Sequence, residues 1–72
     1  MNKITFTEVD IENVVYSTED AVLINLGEGR HEWIPRSVIS QQDDDEIMPR
    51  ERHVERQSIK IAESFAQIKG LI

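Results

Sequence analysis

The side chains of this sequence with chemistry to offer are few: two histidines, five serines and the acid run Asp43-Asp44-Asp45-Glu46. A catalytic metal site needs about three protein ligands. His31 and His53 stand alone, with no carboxylates ordered around them. There is no cysteine, which removes thiolate zinc sites and disulfides together. Ser17, Ser37, Ser40, Ser58 and Ser64 have no nucleophile-elbow context, and Gly27-Glu28-Gly29 is too short to cradle a phosphate. The acid run lacks the alternating ligand spacing, the glycine and the distal glutamate of a calcium loop. General acid–base work needs a desolvated cleft, which a chain of 72 residues hardly encloses. The expectation is a protein with no enzymatic activity, no cofactor and no metal.

What remains is chemistry for binding. Trp33-Ile34-Pro35-Arg36-Ser37 is the most distinctive local feature. Pro35 fixes its own φ and pushes Ile34 into an extended conformation. Arg36 then projects from a rigid corner, suited to a carboxylate, a phosphate or an exposed base. Trp33 at a strand end serves either the core or a partner. The acid run is read in two ways, as a solvated loop or as a mimic of phosphate spacing. Arg50, Arg52 and Arg56 are the basic residues available to neutralise it within the molecule. The candidate partner-binding residues are therefore Asp43, Asp44, Asp45 and Glu46 for the field, with Trp33 and Arg36 as anchors.

The elements that position these residues are mostly strands. Lys3 to Val9 alternates with Ile4 and Phe6 on one face, then shifts register, which predicts a bend or bulge near Glu8–Asp10. Asn13-Val14-Val15-Tyr16-Ser17 and Ala21-Val22-Leu23-Ile24-Asn25-Leu26 flank the short polar Thr18-Glu19-Asp20, a hairpin pattern. Gly27-Glu28-Gly29-Arg30 reads as the next turn, and Arg30 to Ile34 as the returning strand, stopped by Pro35. Ser37 is placed to cap a short turn formed by Val38 and Ile39. Residues 41–50 hold four consecutive acids and read as a mobile loop. From Arg50 to Lys69 no Gly or Pro intervenes, so one long helix fits. The alternation Gln57-Ser58-Ile59-Lys60-Ile61 fits a strand instead, followed by a short helix that Gly70 caps. The fold class is α+β, mainly β: an antiparallel meander sheet or partly open barrel of four or five strands, with a short C-terminal helix. Residues 1–72 form a single domain.

Charge is uneven. Residues 1–48 hold three basic and eleven acidic side chains, whereas residues 49–72 hold five basic and three acidic ones. An acidic field repels phosphates and attracts basic protein surfaces; it also serves solubility. The longest apolar stretch, Ala21-Val22-Leu23-Ile24, is far short of the roughly 18 residues of a membrane span. The first residues lack the apolar block of a secretory signal. These features predict a cytoplasmic protein with no membrane partner. A domain this small buries only about 60% of its unfolded surface, so a homo-oligomer or a partner is expected to add stability.

Two segments, Glu32-Trp33-Ile34-Pro35-Arg36-Ser37-Val38-Ile39 and Ile59 through Ile72, carry a resemblance. They resemble an uncharacterised small domain of bacteriophage genomes, in which a strand ends in Trp-(Ile/Leu)-Pro-(Lys/Arg)-Ser and the chain closes on Gly-Leu-Ile. Ala62 stands where that group commonly has proline, and Ser64 where it commonly has an aromatic residue. The resemblance implies a phage-type accessory protein, located in the host cytoplasm if phage-encoded, and it favours the strand over the long helix. The function expected on these grounds is binding and inhibition or redirection of a host protein with a basic surface, such as an anti-CRISPR or anti-restriction target. The alternative is a small barrel that binds single-stranded nucleic acid. In that reading Trp33, Tyr16 and Phe6 stack, and Arg30, Arg36, Arg50, Arg52 and Arg56 line one side. The acidic balance makes nucleic acid the less favoured partner.

Overall fold

The computed structural model describes residues 3–72. β1 (Phe6–Asp10), β2 (Asn13–Ser17), β3 (Ala21–Gly27) and β4 (Arg30–Pro35) follow in succession. A 3-10 turn (Arg36–Val38), α1 (Gln41–Glu46), β5 (Arg52–Val54), β6 (Ser58–Ala62) and α2 (Glu63–Ile68) complete the chain. The architecture is α+β and mainly β, with two antiparallel sheets of order β1-β6 and β4-β3-β2-β5 that do not close into a barrel.

The two sheets are joined by a bent ribbon. β1 pairs with β6 from Phe6↔Ala62 to Asp10↔Ser58. β2 pairs with β5 at Val14↔Val54 and Tyr16↔Arg52. The Ile11 N–H donates to the Gln57 carbonyl at 2.9 Å between them, so one register runs through both pairs. The expected break near Glu8–Asp10 lies instead at Ile11–Glu12. There the Glu12 N–H turns away from the ribbon to the Asn25 carbonyl, at 2.7 Å.

The two sheets enclose an aliphatic core of Val14, Val22, Ile24, Ile34, Ile47, Ile59 and Ile61, all with no exposed surface. Each such side chain contributes roughly 1.5–3 kcal/mol of transfer free energy. The hairpin register follows from this burial, because a one-residue slip would turn Val22, Ile24 and Ile34 outward. At the Gly27-Glu28-Gly29 turn all three residues have positive φ (95°, 56° and 79°), which explains two glycines in three positions.

Two further expectations are corrected. Residues 41–50 are not an open loop, since Gln41–Glu46 is helical. Ser40 caps it by accepting the Asp43 N–H on its side chain, and Asp43 and Asp44 lie in the first turn, where the helix dipole favours carboxylates. Ser37 does not cap the turn after Pro35; it lies inside the 3-10 turn, which has no side-chain cap. The single long helix over Arg50–Lys69 is excluded, and Gly70 (φ 68°) ends α2 as expected.

Candidate functional site

The acid run divides. The Asp43 side chain is buried: its Oδ1 accepts from Arg56 Nη2 at 2.6 Å and its Oδ2 from the Lys60 main-chain N–H at 2.7 Å. Ser40 N–H donates to the Lys60 carbonyl at 2.9 Å, and Ile39 bridges Ile61. Together these groups occupy the edge of β6 that β1 leaves open. Asp44 pairs with Arg36 Nη1 at 2.8 Å, and Glu46 reaches Arg56 at 3.4 Å. Asp45 is exposed and has no ion-pair partner among the described residues. Three of the four acids are thus engaged within the molecule, partly by Arg56, one of the three arginines that sequence offered for this role.

Arg36 is likewise committed. Its Nε donates to the Thr18 carbonyl at 2.6 Å and its Nη1 also to the Asp44 carbonyl at 3.2 Å. The side chain is only 11% exposed. It ties the β2–β3 turn, the corner after Pro35 and α1 together, and does not project freely from that corner.

Trp33 is 48% exposed, and it belongs to a row that sequence alone did not assemble. It lies opposite Leu23 on β3. Leu23 lies opposite Tyr16 on β2, and Tyr16 opposite Arg52 on β5. The Arg52 guanidinium sits 5.2 Å from the centre of the Tyr16 ring, within cation–π range. The row crosses all four strands on the face opposite the core.

Tyr16 reaches this face because of a register shift. Val14 opposes Ile24, yet Tyr16 opposes Leu23 rather than Val22. The extra residue, Val15, places Tyr16 on the outer side and returns Ser17 to the interior, where it is fully buried against the Met48 carbonyl. Above and below the row the same face carries the pairs Ala21↔Pro35 and Asn25↔His31. None of these positions is a carboxylate, in a chain with 14 acidic residues.

The acids gather elsewhere. Glu8, Asp10, Glu12 and Glu28 line a shallow cleft at the seam between β1 and the β3–β4 turn, with Leu26 and Leu71 among its apolar walls. No group of three or more His, Asp or Glu side chains is placed to hold a metal among the described residues. His31 and His53 stand on β4 and β5, the two outermost strands of the larger sheet, and form no joint site. No described helix is long and apolar enough to cross a membrane.

No family model, curated protein or solved structure matches the chain.

Of the residues expected to stack on nucleic acid, Trp33 and Tyr16 share the outer face, whereas Phe6 is on the other sheet. Of the five arginines, Arg52 joins the row; Arg36 and Arg56 are held in ion pairs, Arg30 Nη2 bonds the Lys69 carbonyl at 3.0 Å, and Arg50 lies exposed in the turn before β5. Sequence named Trp33 and Tyr16 together as stacking residues, but grouped them with Phe6 and without Leu23. The hairpin register that sets Leu23 between them was the signal available.

Proposed function

We propose that this chain is a non-enzymatic, phage-type accessory protein that binds a host protein and inhibits or redirects it, with nucleic-acid-handling defence complexes as the target class. The observation that carries the binding surface is the Trp33–Leu23–Tyr16 row, with Trp33 exposed and Leu23 and Tyr16 half-buried, flanked by the carboxylate-free pairs Ala21↔Pro35 and Asn25↔His31. Aromatic side chains that are rigid and partly exposed make effective anchors, since they desolvate a large area with few rotamers to freeze. Acids outside this face, including Asp45 and those of the seam cleft, supply the long-range attraction to a basic partner. The role is thereby divided: the sheet face holds, and the acidic surroundings steer. This replaces the acid run as the principal contact, because three of its four members are internally engaged.

Affinity capture from host lysate with the wild-type chain and with the Trp33→Ala/Tyr16→Ala double variant tests this. The expected result is a protein recovered by the wild type and lost by a double variant that still folds. An identical set recovered by both counts against the sheet face.

A second reading has one observation of its own. The exposed Trp33, the half-buried Tyr16 and Arg52 in one row suit the stacking of unpaired bases. The net charge of −6 opposes approach of a phosphate chain, which ranks this reading second.

A further inference from the structure

We propose that two copies of the chain pair antiparallel along β4, with Trp33 opposite Trp33 of the second copy. The two four-stranded sheets then form one continuous sheet. This goes beyond the binding reading and does not depend on it.

The phase of the β4 backbone is set by one bond. The Arg36 N–H donates to the Asp20 carbonyl at 2.9 Å, so the Asp20–Arg36 pair is hydrogen-bonded. Antiparallel ladders alternate, which makes Val22–Ile34 and Ile24–Glu32 the next bonded pairs. The amides and carbonyls of His31 and Trp33, and the carbonyl of Pro35, therefore point away from β3. Pro35 fits this phase, because its missing N–H falls on the side where β3 asks for none.

The other edges are closed to self-pairing. β6 is covered by Asp43, Ser40 and Ile39. β5 has only three residues, and its middle residue, His53, has φ 55°, which breaks an extended ladder. The outer side of β1 presents Glu8 and Asp10, both exposed and repelled by their own copies. β4 runs six residues and has no strand on its far side among the described residues.

Charge selects both the occupant and the register. A chain of net charge −6 resists its own copy over most of its surface. Along β4 the single acid, Glu32, is partnered by Lys69 at 3.7 Å. Pairing His31 with Trp33 of the second copy would set Glu32 against Glu32, two like charges directly opposite. Shifting so that Trp33 faces Trp33 sets Glu32 against Ile34. The Trp33 amides and carbonyls then bond reciprocally, and each His31 N–H meets a Pro35 carbonyl. On the outer face the row continues without interruption from Arg52, Tyr16, Leu23 and Trp33 of one copy into the same residues of the other.

Sedimentation equilibrium up to millimolar concentration is the direct test, with twice the monomer mass expected. His31→Pro removes an edge donor that β3 does not use and leaves Trp33, Leu23 and Tyr16 in place. It is expected to be monomeric with a wild-type circular dichroism spectrum, and to keep whatever partner binding the sheet face has. Trp33→Cys gives an independent arm in a chain without cysteine. Opposed Cα atoms in a bonded pair lie about 5.5 Å apart, within the range a disulfide spans. Trp33→Cys should cross-link to a covalent dimer under mild oxidation while a Glu28→Cys control stays monomeric, and this arm decides if His31→Pro fails to fold. A monomer at all concentrations, equal cross-linking of the two cysteine variants, or a dimer unaffected in folded His31→Pro overturns the proposal.

Discussion

The Asp43 carboxylate stands where a neighbouring strand would stand, accepting the Lys60 main-chain N–H at 2.7 Å on one oxygen and the Arg56 guanidinium at 2.6 Å on the other. A strand edge buried without a partner would leave an amide unsatisfied, and this side chain supplies the acceptor. The four consecutive acids are therefore not interchangeable.

Replacing them one at a time separates structure from surface. Asp43→Ala strands the Lys60 amide and takes from Arg56 its shorter ion pair, leaving it Glu46 at 3.4 Å, and is expected to cost about 2–4 kcal/mol. Asp43→Asn keeps an oxygen for Lys60 and loses only the ion pair, at about 1–2 kcal/mol. Asp45→Asn, on an exposed residue, should stay within about 0.5 kcal/mol. Urea denaturation of the three variants measures the order; equal effects at Asp43 and Asp45 would contradict the assignment.

Arg36 acts through the shape of its head group, since Nε and Nη1 reach the Thr18 carbonyl and Asp44 together. A lysine keeps the charge and cannot span both. Arg36→Lys is thus expected to lose most of what Arg36→Ala loses, about 1–3 kcal/mol by denaturation. Full rescue by lysine would mean that charge alone matters at this corner.

Trp33 and Ile34 are adjacent and opposite in role. Ile34→Ala opens a cavity in a fully buried site and should cost about 2–5 kcal/mol. Trp33→Ala loses only its cross-strand contact with Leu23, about 0.2–1 kcal/mol. Thermal unfolding of the pair checks this. A Trp33 variant as unstable as the Ile34 variant would place the indole in the core.

Much of this fold is legible in local sequence. The polar Thr18-Glu19-Asp20 between two aliphatic runs, the paired glycines before Arg30, and the alternation ahead of Gly70 each act over a few residues. The helix at Gln41–Glu46 is different. Like charges in sequence argue for an open loop, and what overrides them lies far along the chain: Arg56 and Lys60, 13 and 17 residues beyond Asp43. The outward position of Tyr16 was hidden for another reason. It depends on one inserted residue, Val15, whose β-branched side chain suits a regular strand equally well. Trp33 was visible as a candidate, but its neighbours Leu23, Tyr16 and Arg52 come together only once the register is known.

Trp33 is the sole tryptophan, so its emission reports on the outer face alone. Titration with single-stranded oligonucleotide at low salt should leave that emission unchanged if the partner is a protein. Salt-sensitive quenching by the oligonucleotide would instead favour base stacking on Trp33 and Tyr16.

The most direct measurement is the dissociation constant for the captured host protein, compared between two variants by calorimetry. With Trp33→Ala/Tyr16→Ala, loss of two anchors of about 1–2 kcal/mol each should weaken binding roughly 30-fold or more, while the variant stays folded with a melting temperature lowered by about 10 °C at most. With Asp45→Asn, affinity should fall only slightly, and mainly at low salt. Unchanged affinity in the aromatic variant, with binding abolished by Asp45→Asn, would contradict the sheet face as the holding surface.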